Sequence, residues 1–83
     1  MPRDIIRHAH RGCMICVRRY WNRTELLFDE RIVAAKTGIL ETSYALQGDL
    51  GADFVVADVR MGMVGAQVRL IINGLVADQA WKV

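Results

Sequence analysis

Proline, serine and long apolar runs are scarce in this sequence, and their scarcity excludes several classes of protein. The chain of 83 residues has one proline, and Ser43 is its only serine. A single proline excludes a proline-rich linker or a collagen-like chain. No apolar run approaches the roughly 18 uncharged residues that a membrane helix needs, so we expect no membrane partner.

Catalytic signatures are also missing. The serine lies in T-S-Y, outside the G-x-S-x-G motif of a hydrolase nucleophile. Neither a G-x-x-x-x-G-K-[ST] phosphate loop nor a G-x-G-x-x-G dinucleotide motif occurs. We therefore expect no enzyme activity and no cofactor.

The composition is that of a small folded protein with more apolar residues than its core can bury. Hydrophobic residues make up 53% of the chain and charged residues 24%, which excludes intrinsic disorder. A chain of this length forms one domain, residues 1–83, and buries only about 60–65% of the surface that it exposes when unfolded. It cannot hide every apolar side chain. The sequence therefore predicts a non-enzymatic binding or assembly module of unknown ligand that works as a homo-oligomer, with a dimer favoured.

Positive charge is concentrated at the start of the chain. Residues 1–24 contain six arginines against Asp4, a net charge of +5, whereas five basic and eight acidic residues leave 25–83 at −3. Residues 1–12 are a candidate basic arm. The Arg-rich segment 3–23 supports an alternative function, nucleic-acid binding, because arginine contacts phosphate and aromatic rings stack on unpaired bases. The candidate contacts are Arg18, Arg19, Arg23, Tyr20 and Trp21.

Two histidines and two cysteines form the only compact set of candidate metal ligands. His8, His10, Cys13 and Cys16 follow the spacing H-x-H-x2-C-x2-C, which supports a third option, a small metal or redox protein. All four lie within nine residues, and a strand over 13–17 would turn the two cysteines to opposite faces. The favoured interpretation is therefore a pair of buried, reduced thiols. Arg18 and Arg19 end the apolar run at five residues, too short for a secretory signal, so a cytoplasmic location is expected.

The C-terminal third carries the clearest pattern. Asn73-Gly74 lies between two alternating runs, 66–72 and 75–81, and Asn-Gly favours a type I′ turn in which both residues have positive φ. Residues 54–61 alternate in the same way. These three segments predict an antiparallel meander, and no internal repeat is visible in the sequence.

The N-terminal half is more ambiguous. Helix signals surround residues 24–37: Thr24 is a candidate cap, and Gly38 is a candidate stop. The competing interpretation is a hairpin that turns at Asp29-Glu30. Residues 39–47 slightly favour a strand. With the helix preferred, the predicted fold is α+β, an antiparallel sheet with one packed helix.

The last strand is the predicted site of self-association. Residues 75–82 end the meander, so their unpaired backbone groups can join a second copy. We expect Asp78 and Lys82 to face outward and to offset each other's charge across a two-fold axis, with Trp81 beside that axis. The predicted interface residues are Val76, Asp78, Ala80, Trp81 and Lys82.

Overall fold

The protein consists of eight β-strands in the part of the chain that the structure, a computed structural model, describes. That part covers residues 3–38, 42–62 and 65–82, with only the backbone of Lys82. The strands are β1 Arg3–His10, β2 Cys13–Arg19, β3 Arg23–Phe28, β4 Arg31–Thr37, β5 Ser43–Leu50, β6 Asp53–Gly62, β7 Gly65–Ile72 and β8 Leu75–Lys82.

The strands form two antiparallel meanders that pack face to face. The N-terminal sheet has the order β1-β2-β3-β4 and the C-terminal sheet the order β5-β6-β7-β8. The Cα atoms span 35 × 23 × 17 Å, and the shortest extent fits two sheets about 10 Å apart. Strand β1 lies beside β8, and β4 lies beside β5, at the two open sides of the sandwich.

The predicted α+β fold is wrong, because the described residues contain no helix. Residues 24–37, expected to be a helix, form β3 and β4. Asp29 and Glu30 turn the chain between them with φ of 49° and 67°, a left-handed conformation that no helix contains. The competing hairpin is therefore the correct structure. Of residues 1–12, the candidate basic arm, residues 3–10 form β1 and pair with β2.

The C-terminal meander is confirmed. Asn73 and Gly74 have φ of 52° and 84°, as a type I′ turn requires. Strand β5 confirms part of the strand expected over 39–47, of which residues 39–41 lie outside the described residues.

The two meanders repeat each other in structure, although the sequence shows no repeat. Each has a register shift between its last two strands, at Leu26/Leu27 and at Leu70/Ile71. Each also uses the first residue of its last turn in the same way. Asp29 donates its N–H to the carbonyl of Met14 and accepts the Met14 N–H at Oδ1. Asn73 makes the same two bonds with Phe54.

The core lies between the sheets and is built from the inward residues of both. Val17, Leu26, Val55 and Leu70 are fully buried there. Gly48 on β5 lets β4 and β3 approach closely, because a Cβ at this position would lie 3.2 Å from Cγ2 of Val33. The cluster comprises Ile5, Ile6, Cys13, Ile15, Val17, Leu26, Phe28, Leu46, Val55, Ala57, Val59, Val68, Leu70 and Ile72.

Polar contacts join the sheets at both ends of the core. At one end Thr24 and Tyr44 share a hydrogen bond between their hydroxyls. At the other end His10 Nε2 lies 2.8 Å from Asp53 Oδ2, and Asn73 Nδ2 donates to Asp53 Oδ1 at 2.8 Å. Side-chain contacts therefore fix how the sheets stack.

Candidate interaction surface

The outer face of the N-terminal sheet is covered by its own side chains. Cys16 and Leu27 point away from the core, since their neighbours in sequence point into it, yet each is only 2% exposed. Arg18 crosses this face. Its Nε lies 2.7 Å from Asp4 Oδ1, and its guanidinium also reaches Glu30 Oε2 at 3.1 Å. We call this surface the covered face.

The charges on the covered face are neutralised in pairs. The hydrogen bond from Arg18 lowers the pKa of Asp4. Burial raises the pKa of Cys16 to about 11, and the neighbouring Asp4 carboxylate adds to the effect. The Glu25 side chain is 3% exposed, and its Oε2 forms an ion pair with Arg23 Nε at 3.0 Å. The centre of this face therefore presents paired charges over buried apolar groups, and Ile32 on β4 is its exposed apolar residue.

The outer face of the C-terminal sheet has no such cover. A row of apolar residues crosses it, because Val56 pairs with Ile71 and Ile71 with Val76. Val76 is 53% exposed, and Phe54, two residues before Val56 on the same side of β6, is 45% exposed. We call Phe54, Val56, Ile71 and Val76 the apolar row, and the surface that carries it the open face.

A charged row lies next to the apolar row. Asp58 and Arg69 are register partners at its centre, on β6 and β7. Arg60 Nε lies 3.6 Å from Asp58 Oδ2, beyond hydrogen-bond distance. Arg69 makes no ion pair within the described residues. The open face therefore combines apolar side chains with an arginine that forms no close ion pair among the described residues.

The predicted interface residues of β8 do not share one face. Val76 and Trp81 lie on the open face, opposite Ile71 and Gln67. Asp78 lies on the inner side, where its Oδ2 is 3.5 Å from Nδ1 of His8 on β1. The register shift at Leu70/Ile71 separates Val76 from Asp78 in orientation. Ala80 packs against the core, and the side chain of Lys82 lies outside the described residues.

The basic and aromatic residues of the Arg-rich segment are mostly engaged within the protein. Arg18 and Arg23 are held by carboxylates, as described above. The Arg23 guanidinium also lies 4.5 Å above the Tyr20 ring. Arg19 donates to Met61 Sδ at 2.9 Å. Trp21, at the β2–β3 turn, is 80% exposed and is the freest member of the set.

The His and Cys residues are not brought together. His8 contacts Asp78 and His10 contacts Asp53, both across the sandwich. Cys16 lies on the covered face and Cys13 on the inner side of the same strand. Within residues 3–38, 42–62 and 65–82, no group of three or more His, Cys, Asp or Glu side chains is placed to hold a metal ion.

Neither thiol has an environment that activates it. Both cysteines are free and buried. Burial, with the negative charge of Asp29 as a second cause, raises the pKa of Cys13. A reactive thiol requires the opposite shift. Cys13 borders an open cleft of 350 Å³, whose other lining residues are Phe28, Asp29, Arg31, Ile32, Val33, Asp49 and Leu50.

Several residues of the open face were not selected as interface residues from the sequence: Val56, Asp58, Arg69 and Ile71. The signal for them was the alternation of 54–61 and 66–72, which already places Val56 with Asp58 and Arg69 with Ile71 on one side of their strands. The alternation does not say which side is exposed.

The fold and the surface define a class, a two-sheet antiparallel β-sandwich with one covered and one open face. Comparisons with protein-family models, curated proteins and solved structures found no match to this chain. The described residues include no helix long and apolar enough to span a membrane.

Proposed function

We propose that this protein is a non-enzymatic assembly module that forms a homodimer through the open face. The observation that carries the proposal is the apolar row, with Phe54 and Val76 about half exposed on the outer face of the C-terminal sheet. Contiguous exposed apolar residues with a polar rim are typical of protein interaction sites. The two free cysteines fit a reducing compartment, so we place the protein in the cytoplasm.

The open face is a better candidate for self-association than the edge of β8. Strand β1 lies beside that edge, and the His8–Asp78 contact joins the two strands. A second copy could pair with the edge only after β1 had moved away. The open face needs no such rearrangement.

The proposal of a non-enzymatic role is supported by the state of the reactive side chains. The described partner of His10 is the Asp53 carboxylate, which ties the sheets together. Burial raises the pKa of both thiols, so neither is a ready nucleophile at neutral pH.

Nucleic-acid binding through the Arg-rich segment has weaker support. Carboxylates of the protein already occupy Arg18 and Arg23, so phosphate contacts would have to replace those ion pairs. Retention on single-stranded nucleic acid at about 50 mM salt that falls with added salt, and is lost in Trp21→Ala, would favour this alternative.

The experiment that tests the proposal compares two equivalent positions. Val76 pairs with Ile71, and Ile32 pairs with Leu27, in each case directly after the register shift of the sheet. Val76 is 53% exposed and Ile32 is 58% exposed. We expect Val76→Gln to weaken self-association, measured by light scattering between about 1 and 500 μM, roughly tenfold. Ile32→Gln, the control, should leave it unchanged. Equal effects of the two substitutions would contradict the proposal.

A further inference from the structure

We propose that the dimer has a two-fold axis parallel to the strands, between β6 and β7, so that Asp58 faces the partner's Arg69. This inference rests on the self-association proposed above and specifies how one copy recognises the other. The second copy binds the open face. It is recognised by the Asp58–Arg69 ion pair, which forms twice across the two-fold axis, and by the apolar row.

The register of β6 and β7 carries the first step. Val56 pairs with Ile71, Asp58 with Arg69 and Arg60 with Gln67. Two faces stacked about a two-fold axis that runs along the strands exchange the members of each pair. Val56 then lies opposite the partner's Ile71, and Asp58 lies opposite the partner's Arg69. The interface is isologous, so each contact occurs twice.

The charges disfavour one alternative orientation. An axis across the strands, through the Asp58 row, would place Asp58 against its own copy and Val56 against the partner's Arg60. Like charges face to face are unfavourable, and so is an apolar group against a charged one. The axis along the strands avoids both, because opposite charges meet and apolar side chains meet.

Comparison with the covered face explains why a second copy is needed. Arg18 and Glu25 are register partners in the N-terminal sheet. The equivalent positions of the C-terminal sheet hold the partners Asp58 and Arg69. Glu30, which holds Arg18 from the β3–β4 turn, is replaced by Gly74 in the β7–β8 turn. The C-terminal sheet therefore lacks an arginine and a glutamate at the two positions that Arg18 and Glu30 occupy in its counterpart.

The size of the face sets the expected affinity. Four strands about 4.8 Å apart, each about 25 Å long, present roughly 500 Å². Two such faces bury about 1,000 Å² in total, the lower end for a specific interface. Aligned sheets pack about 10 Å apart, a distance that an aspartate and an arginine can bridge. We expect dissociation in the micromolar range.

Charge reversal tests the inference. Asp58→Arg places two arginines opposite two arginines, and Arg69→Asp places two aspartates opposite two aspartates. Each single variant should dissociate at least tenfold more readily than the unmodified chain in sedimentation velocity. An equimolar mixture of the two variants should form a heterodimer in which each contact again joins an arginine to an aspartate, one with the original polarity and one with the polarity reversed. The double variant should also recover the homodimer.

Controls and alternative outcomes separate this inference from the proposed function. Arg31→Asp makes the same charge change on exposed β4 and should have no effect. If Asp58→Arg or Arg69→Asp fails to fold by circular dichroism, Asp58→Asn and Arg69→Gln take their place and should each weaken the dimer. An unmodified chain that dimerises while these variants dimerise equally well would overturn the inference and leave self-association standing. An unmodified chain that stays monomeric would overturn both.

Discussion

The two sheets of this protein share the same strand topology, but their outer faces carry different side chains. Both are four-stranded meanders with a register shift in the last strand pair and a turn residue bonded twice to the second strand. In the N-terminal sheet, Arg18 joins Asp4 and Glu30 over Cys16 and Leu27. In the C-terminal sheet, the equivalent residues Val56 and Ile71 are partly exposed, and Val76 beside them is 53% exposed. The same architecture therefore presents two different outer faces, and we propose that a second copy covers the C-terminal one.

The difference follows from a few side chains rather than from the fold. Both outer faces carry apolar residues at equivalent positions, Cys16 and Leu27 in one sheet and Val56 and Ile71 in the other. What separates them is whether the residues beside these positions form ion pairs over them. The C-terminal sheet has Asp58 and Gly74 where the N-terminal sheet has Arg18 and Glu30.

The largest difference is expected between the equivalent residues Leu27 and Ile71. Leu27→Ala should lower the free energy of unfolding by about 2–4 kcal/mol, because the side chain is 2% exposed and its removal leaves a cavity. Ile71→Ala should cost about 1 kcal/mol or less in dilute protein, because Ile71 is partly exposed on the open face.

Urea denaturation at about 1 μM, where a weak dimer is dissociated, measures both variants. At about 500 μM, Ile71→Ala should become more costly, while the cost of Leu27→Ala should not change. Equal costs at both positions in dilute protein would show that the two faces are covered alike.

A smaller loss is expected at the turn between β7 and β8. Gly74 has φ of 84°, and a β-branched residue resists this conformation. Gly74→Val should therefore destabilise the fold by about 1–2 kcal/mol. Thermal unfolding measures the effect, with Leu75→Val at an exposed neighbouring position as the control. A Gly74→Val variant as stable as the control would contradict the type I′ turn.

A smaller effect still is expected from acid, through the contact that joins the two sheets. The hydrogen bond to His10, and next the one to Asn73, lower the pKa of Asp53. A carboxyl group whose pKa is lower in the folded state contributes stability above its unfolded value, near pH 4, and loses it as the pH falls through the folded value.

The thermal unfolding temperature should therefore decrease as the pH is lowered below about 4. Asp53→Asn should make this decrease less steep. Thermal melts between pH 2 and 7 measure it, with Asp49→Asn on exposed β5 as the control. An unchanged acid slope in Asp53→Asn would show that this contact does not couple stability to pH.

The last prediction concerns the reactivity of Cys16, which probes the covered face locally and involves no change in stability. Its pKa of about 11 leaves almost no thiolate at pH 8, and Arg18 and Asp4 lie over it. In Cys13→Ala, native labelling of Cys16 by iodoacetamide should be far slower than labelling in denaturant. Rapid labelling at pH 8 in the folded protein would mean that this face is open too.

Local patterns in the sequence correctly predicted the C-terminal meander. Asn73-Gly74 specifies a turn, and one buried face gives β6 and β7 their alternation. The hairpin of β3 and β4 was misread as a helix for physical reasons. Leu26, Leu27 and Phe28 are buried on both faces of their strand, and a continuous apolar run does not distinguish a strand from a helix.

The candidate site was predicted only in part. Trp81 was predicted to lie at the interface, and it is 53% exposed on the open face. The grouping of Val76 with Asp78 failed because the register shift at Leu70/Ile71 turns them to opposite sides. A bulge has no reliable local signature. The cover over the N-terminal sheet depends on contacts between distant residues, which a single sequence does not reveal.

Sedimentation equilibrium of the unmodified chain tests the central claim most directly. A chain of 9.4 kDa with a self-complementary open face should reach twice that mass as its concentration rises through the micromolar range. The dimer should persist at about 0.5 M salt with weakened affinity, because the apolar row remains and the ion pairs are screened. A constant mass of 9.4 kDa up to about 500 μM would contradict the claim that a second copy completes the C-terminal sheet.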